Sequence, residues 1–145
     1  MKINFKKLNE SAVTPTRGSE QAAGWDLYAC IDEEYWIAPH ETVKIGTGIA
    51  AAIPEGCFGA IYARSGLATK QGLRPANAVG VVDSDYRGEI IVALHNDSEH
   101  LQCVVPAERI AQIIISPYVN VNWDMVDELD DTKRGDGGFG STGTK

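Results

Sequence analysis

Glycine and proline divide this chain into many short runs that are rich in β-branched and aromatic residues. Such runs occupy residues 3–8, 35–38, 41–53, 58–63, 89–96, 101–106 and 109–119. Valine, isoleucine, threonine and aromatic residues favour strands, and short strands at close spacing are typical of sandwiches and barrels. No long segment has the periodicity of an amphipathic helix. The sequence therefore predicts an all-β fold, a distorted jelly-roll barrel or sandwich.

One short stretch, residues 65–72, has helical character, with Ser65 as its candidate N-cap. From residue 123 the composition changes to an acidic segment that is poor in β-branched residues and then becomes rich in glycine. We predict one domain, with a β core at 1–122 and a C-terminal arm at 123–145 that carries a glycine-rich lid. The arm is expected to cross to a neighbouring subunit, where Val126 and Leu129 anchor it.

Charge and cysteine content exclude several classes of protein. A formal net charge of -7 argues against binding to nucleic-acid backbones. No apolar run is long enough for a membrane span, and the start of the chain has no apolar signal-peptide region. The three cysteines, Cys30, Cys57 and Cys103, are odd in number and widely spaced, so we expect reduced, buried thiols rather than disulfides. These features predict a cytoplasmic protein with no nucleic-acid or membrane partner.

Residues 134–143, RGDGGFGSTG, contain the pattern G-x-G-x-x-G. A dinucleotide loop would follow a strand and open a helix, whereas this stretch follows an acidic segment, and only residues 144–145 come after it. Two interpretations stay open. It is a flexible tail, or it is a lid that orders on a ligand. In a lid, Arg134 would pair with a phosphate and Phe139 would cover an aromatic ring.

A polar segment between two apolar runs contains Asp83, Ser84, Asp85, Tyr86 and Gly88. Turn-forming residues between apolar runs predict a β-hairpin, and a plain surface turn is one interpretation. Asp83, however, directly follows two valines. A partly desolvated acid at a strand end is a candidate general base for a water molecule, and Tyr86 is placed to lay its ring against a sugar or base.

Five other polar residues have a predicted role, either at a site or in the structure around it. Arg64 and Ser65 leave an apolar strand and enter the predicted helix, which makes either an anion site or an ordinary capped helix start. Asp26 lies in an apolar strand, so it is either hydrogen-bonded structurally or placed near a metal's water shell. We expect Arg109 to pair with an acid and Gln112 to make a polar contact at a site.

Taken together and in this order, five segments resemble the motifs of the trimeric, all-β dUTP pyrophosphatase (dUTPase) family. The segments are GWDLYA (24–29), ARSGLATKQG (63–72), NAVGVVDSDYRGE (77–89), ERIAQ (108–112) and RGDGGFGSTG (134–143). The resemblance runs from about residue 20 to the end of the chain, at the family's usual spacing. It implies hydrolysis of dUTP to dUMP and pyrophosphate with Mg²⁺ as cofactor, which keeps uracil out of DNA and supplies dUMP for dTTP synthesis.

The resemblance also implies a role for each matching residue. Asp83 would be the general base that activates water against the α-phosphorus, and Tyr86 would pack on the deoxyribose and exclude a 2′-hydroxyl. Asp26 would lie near the waters of a Mg²⁺ ion held mainly by the triphosphate. The remaining implied contacts are Asn77, Gly80 and Val81 at uracil; Arg64, Ser65, Gly66 and Gln112 at the phosphates; Arg134 at the γ-phosphate; Phe139 over uracil; and Gly140, Ser141, Thr142 and Gly143 closing over the phosphates.

Members of this family are homotrimers whose active sites are shared among three chains, so the resemblance implies the same assembly here. Two other functions are kept as alternatives. One is the related dCTP deaminase, for which Glu89 would be the glutamate base beside C4 of the pyrimidine. The other is a nucleotide-gated regulatory protein, as reported for some phage dUTPases, although we expect no stable protein partner beyond further copies of this chain.

Overall fold

Short strands follow one another along most of the chain in a computed structural model, which describes residues 1–138. The strands are β1 (Asn4–Lys7), β2 (Trp25–Tyr28), β3 (Tyr35–Ile37), β4 (Thr42–Gly46), β5 (Ile49–Ala52), β6 (Cys57–Tyr62), β7 (Leu73–Pro75), β8 (Gly80–Val82), β9 (Ile91–Asn96), β10 (Gln102–Val104) and β11 (Arg109–Pro117). Within the described part of the chain there is one helix, α1 (Ser65–Gln71). The predicted all-β class with one short helix is confirmed.

The strands pair antiparallel in two larger and two smaller sheets. The four-stranded sheet has the order β2-β11-β6-β8 and the three-stranded sheet the order β4-β9-β7, while β1 pairs with β5 and β10 with β3. Across residues 1–138 these sheets are separate and do not close into a barrel. One buried apolar cluster contains residues from both larger sheets, such as Leu27, Ile110 and Leu94. Of the two predicted forms, the jelly-roll sandwich is therefore the one observed.

Side chains that point alternately into and away from the core along each strand build this apolar cluster. In β9 the side chains of Val92, Leu94 and Asn96 point inward, while their neighbours are exposed or half-buried. Burying one such aliphatic side chain contributes about 1.5–3 kcal/mol. The core thus fixes the register of β9 against β4 and β7, because a slip of one residue would turn these side chains to the opposite face.

The run at 41–53 contains two strands, because Gly48 turns the chain with a φ of +66°. Two other local predictions were wrong. Ser65 is the first helical residue rather than the N-cap, a position that Arg64 takes with extended backbone. The predicted hairpin around Asp83 does not form in the described structure, since β8 pairs with β6 whereas β9 pairs with β4 and β7. The segment 83–90, here called the 83–90 loop, instead connects the two larger sheets.

Beyond β11 the described chain carries large exposed apolar side chains. Trp123 is 94% exposed, Met125 101% and Leu129 85%. Over residues 118–138 the structure assigns neither helix nor strand. This stretch includes most of the predicted C-terminal arm. Among residues 1–138, the single helix is too short to cross a membrane.

Asn96 is the most heavily bonded buried polar residue of the core, and its replacement by leucine is expected to destabilise the fold. The side chain is 0% exposed. Its Nδ2 donates to the carbonyls of Ile37 and His100 at 3.0 and 2.8 Å, and its Oδ1 accepts from the Ser98 backbone N–H at 2.9 Å. Leucine leaves these buried groups unpaired, so the free energy of unfolding should fall by roughly 2–5 kcal/mol in urea titrations. The exposed Asn120→Leu is the control, and an equal loss there would contradict this account.

Candidate active site

One group of predicted site residues surrounds a buried acid at one end of the four-stranded sheet. Asp26 of β2 is 8% exposed. Its Oδ1 accepts a hydrogen bond from Arg64 Nε at 2.8 Å, and its Oδ2 lies 3.4 Å from Arg109 Nη1. The two guanidinium groups satisfy the carboxylate and leave one net positive charge, which is suited to an anion. This confirms that Arg109 pairs with an acid, and it gives Asp26 the hydrogen-bond partners that a buried acid needs.

Gln112 of β11 lies opposite Asp26 and fixes the start of the next segment. Its Nε2 donates to the carbonyl of Ala63 at 2.9 Å, directly before Arg64. A Cβ atom at Gly24 would lie 2.2 Å from Gln112 Oε1, so glycine leaves the space that this side chain fills. We call these residues the Asp26 cluster: Asp26, Arg64, Arg109 and Gln112. Their hydrogen bonds connect β2, β11 and the segment that follows β6.

Ser65 and Gly66 follow this cluster in the first turn of α1. Both residues are exposed, and a Cβ atom at Gly66 would meet nothing within 4 Å. The backbone there is open to a ligand, as the family resemblance implies for a phosphate contact.

A second group of predicted residues lies on and beside β8. Gly80, which is buried, begins β8 opposite Ile61, and a Cβ atom added to it would lie 3.3 Å from Asn77 Nδ2. Asn77 and Val81 are exposed. β8 is the last strand of its sheet, so one edge of its backbone carries no strand partner among residues 1–138. Its N–H and C=O groups on that edge are available to a planar hydrogen-bonding ligand.

Asp83 follows β8 and lies at the meeting point of two clefts. One has a volume of about 590 Å³ and the other about 240 Å³, and Asp83 lines both. The predicted partial desolvation was wrong for the single chain, because Asp83 is exposed. The strand ends at the surface, so the two preceding valines do not enclose the carboxylate. A carboxylate in this position can contact a water molecule and a substrate at once.

Tyr86 packs against its own loop beside the smaller cleft. Its hydroxyl donates to the Glu89 carbonyl at 3.0 Å, and its backbone N–H donates to the Asp83 carbonyl at 3.2 Å. A Cβ atom at Gly88 would lie 2.4 Å from the Tyr86 hydroxyl oxygen. The smaller cleft is lined by Val81, Val82, Asp83, Tyr86, Glu89, Ile90 and Ile91. Tyr86 therefore forms one wall of a pocket that begins at Asp83.

Asp83 and Arg64 lie at opposite ends of the four-stranded sheet. Pairing of Gly59 with Val82 places Asp83 level with Phe58, near the start of β6, whereas Arg64 follows the end of that strand. A strand rises about 3.3 Å per residue, so the six positions between Phe58 and Arg64 correspond to roughly 20 Å. Within one chain the backbones of Asp83 and Arg64 are thus far apart along the sheet.

The glycine-rich segment is described only in part. Arg134 Nε donates to the carbonyl of Gly137 at 2.8 Å, which places this guanidinium within its own segment. Phe139, Gly140, Ser141, Thr142 and Gly143 lie outside the described residues. Their predicted roles therefore stay predictions.

Two residues of the 83–90 loop have contacts that the sequence did not reveal. Arg87 Nη1 donates to the carbonyls of Ser84 and Tyr86 at 2.6 and 2.9 Å. The carboxylate of Glu89 accepts the backbone N–H of Gly48 at 2.7 Å. This orientation does not favour the deaminase alternative, in which the acid would face a pyrimidine. No sequence signal identifies the Glu89 contact, since its partner is 41 residues away.

Known proteins resemble this chain over almost its whole length. The sequence profile of the dUTPase family matches residues 10–143. The deoxyuridine 5'-triphosphate nucleotidohydrolase of Nautilia profundicola is 48% identical and covers 99% of this chain and 99% of its own length. That of Desulfitobacterium hafniense is 46% identical over 99% of this chain and 95% of its own.

A solved structure shows the same similarity in three dimensions. The dUTPase of Staphylococcus bacteriophage 80alpha with dUPNHPP has a TM-score of 0.85 and 27% identity, and 99% of each chain is covered. The jelly-roll fold and the family expected from the five motifs are both confirmed. The chain belongs to the dUTPase family and is an enzyme of the dUTP nucleotidohydrolase class.

Proposed function

We propose that this enzyme hydrolyses dUTP to dUMP and pyrophosphate by general-base catalysis at Asp83. The carboxylate takes a proton from a water molecule as the water oxygen attacks the α-phosphorus in line. The bond from the α-phosphorus to the bridging oxygen then breaks, and pyrophosphate leaves with the electron pair. The observation that carries this proposal is the exposed carboxylate of Asp83 at the junction of two clefts, beside Tyr86.

Uracil and deoxyribose are bound beside β8 in this proposal. The open backbone edge of β8 at Gly80 and Val81, together with Asn77, hydrogen-bonds the uracil edge. Cytosine reverses donor and acceptor there, and each buried polar group left unpaired costs about 1–3 kcal/mol. Tyr86 lies against the deoxyribose and leaves no room for a 2′-hydroxyl. These contacts account for selection of dUTP over dCTP and UTP.

The phosphates are bound by residues of a neighbouring chain. The phosphates contact the guanidinium of Arg64, the hydroxyl of Ser65, the open backbone at Gly66 and the amide of Gln112. The rough 20 Å between Asp83 and Arg64 in one chain supports a site shared between subunits. The exposed apolar side chains of the C-terminal arm support its docking on another copy. We therefore propose a homotrimer in which Arg134 reaches the γ-phosphate, Phe139 covers uracil, and Gly140, Ser141 and Thr142 close the site.

Magnesium fits this site as an ion carried by the substrate. Residues 1–138 contain no group of three or more histidine, cysteine or acidic side chains that could hold a metal ion. This fits Mg²⁺ bound mainly to the triphosphate, since the ion keeps several waters and takes few protein ligands. Asp26 retains acceptor capacity beyond its two arginine contacts and would contact those waters. When bound, Mg²⁺ neutralises charge on the phosphate oxygens.

Substitution of Gly24 by alanine is expected to weaken phosphate binding through Gln112. The new Cβ atom would lie 2.2 Å from Gln112 Oε1, so this side chain must move from the position in which it donates to Ala63. Loss of one hydrogen bond to a charged group corresponds to roughly a tenfold to hundredfold rise in KM for dUTP, measured in steady-state kinetics. Gly18→Ala is the matched control, because a Cβ atom there meets nothing within 4 Å. An unchanged KM in the Gly24 variant would contradict the role of Gln112.

Pyrophosphate release from dUTP, dCTP, dTTP and UTP tests the proposed function. Release from dUTP in preference to the other three, dependent on Mg²⁺, is expected. Ammonia release from dCTP would instead support the deaminase alternative, and no reaction with dUTP would overturn the proposal.

The three free cysteines support a cytoplasmic setting, where disulfides are rare.

A further inference from the structure

Glu89 and Ile90 attach the 83–90 loop to the turn between β4 and β5. The Glu89 carboxylate accepts the Gly48 N–H at 2.7 Å. The carbonyl of Ile90 accepts the Thr47 hydroxyl at 2.7 Å, and the Ile90 N–H donates to the Ile49 carbonyl at 2.8 Å. The downstream end of the loop is thereby held by a side-chain contact and backbone contacts to one turn.

The β4–β5 turn has the shape needed to receive this carboxylate. A Cβ atom at Gly46 would lie 2.5 Å from Glu89 Oε1. Gly48 has a φ of +66°, and a Cβ atom there would lie 2.5 Å from the Ala12 Cβ atom. Two glycines thus leave the space that Glu89 fills and the backbone conformation that presents the Gly48 N–H to it.

Tyr86 depends on the same attachment. Its hydroxyl donates to the carbonyl of Glu89 at 3.0 Å, so the ring is tied to the residue whose side chain docks on the turn. The Arg87 hydrogen bonds stay inside the loop. For the described residues, the hydrogen bonds that join this loop to another part of the chain are those of Glu89 and Ile90.

We propose that Glu89 is a positioning residue that sets the place of the Tyr86 ring and thereby the preference for deoxyribose over ribose. This inference rests on the proposed function, in which Tyr86 packs on the sugar. Without the Glu89–Gly48 hydrogen bond, the ring has room to retreat and a 2′-hydroxyl can enter. Asp83 lies at the other end of the loop, next to β8, so hydrolysis of dUTP is affected less than sugar selection.

Kinetics of Glu89→Ala with dUTP and UTP tests this inference. We expect the ratio of kcat/KM for dUTP to that for UTP to fall roughly tenfold, because the variant lacks one charge-assisted hydrogen bond. Glu89→Gln keeps an oxygen that accepts from Gly48, so it should retain most of the ratio. Gly46→Ala should lower the ratio as Glu89→Ala does, because its Cβ atom displaces the carboxylate. Val104→Ala, a core change in β10, controls for lost stability and should leave the ratio unchanged.

Binding of the non-hydrolysable α,β-imido analogues of dUTP and UTP, measured by calorimetry, separates this inference from the proposed function. A wild type that prefers the deoxy analogue but does not hydrolyse dUTP would refute the proposed function alone. In that case, a fall of this preference in Glu89→Ala and its retention in Glu89→Gln would support the inference. An unchanged preference in Glu89→Ala, an equal fall in Val104→Ala, or a wild type that binds both analogues equally would overturn it.

Discussion

Replacing Asp83 with asparagine is expected to lower kcat for dUTP hydrolysis by roughly 10²–10⁴-fold, the usual contribution of a positioned general base. Asparagine has the same shape but cannot accept the proton of the attacking water. KM for dUTP should change little, since the base contacts water rather than the nucleotide. Pyrophosphate release under saturating and limiting dUTP measures both constants.

The neighbouring acid provides a matched control. Asp85 lies two residues away on the same loop and lines the larger of the two clefts, as Asp83 does, but not the smaller one beside Tyr86. Asp85→Asn removes the same charge and should keep most of the activity. Both residues are exposed, so neither change should alter the free energy of unfolding by more than about 0.5 kcal/mol. Equal losses in the two variants would show that net charge, rather than a base at Asp83, explains the effect.

Local chemistry made much of the fold and site predictable. Runs of β-branched residues located most strands, because such residues fit a pleated surface wherever their partners lie. Asp26 was expected to need a partner, and burial of an acid made an arginine such as Arg109 a reasonable one. The ordered motifs then identified the family, which the family profile and the relatives confirm.

Contacts between distant segments were not predictable in the same way. The predicted hairpin failed because the sequence around Asp83 specifies a turn but not a partner strand, and β8 pairs with β6 instead. The Glu89 contact spans 41 residues and depends on the turn at Gly48. Exposure of Asp83 in one chain has a similar origin, because what covers a strand end is decided by segments elsewhere in the sequence or in another subunit.

Mixing two impaired variants should raise activity if the active site is shared between chains. Arg64→Ala removes a phosphate contact and should lower kcat/KM by roughly tenfold to a hundredfold. Arg109 still pairs with Asp26 in that variant, so the fold should be retained. Asp83→Asn removes the base. Each variant keeps the residue that the other lacks, and in a shared site these residues come from different subunits.

Random assembly of equal amounts of the two chains, denatured and refolded together, should leave about one quarter of the sites with both residues intact. Activity should therefore rise to about one quarter of wild type, well above either variant refolded alone. Refolding wild type with a chain that carries both changes is the matched control. It should also give about one quarter for a shared site, but about one half if each chain builds its own site. We expect complementation because the register of β6 and β8 separates Asp83 from Arg64 by roughly 20 Å of backbone within one chain. Failure of complementation, with about one half of wild-type activity in the control, would contradict the shared site.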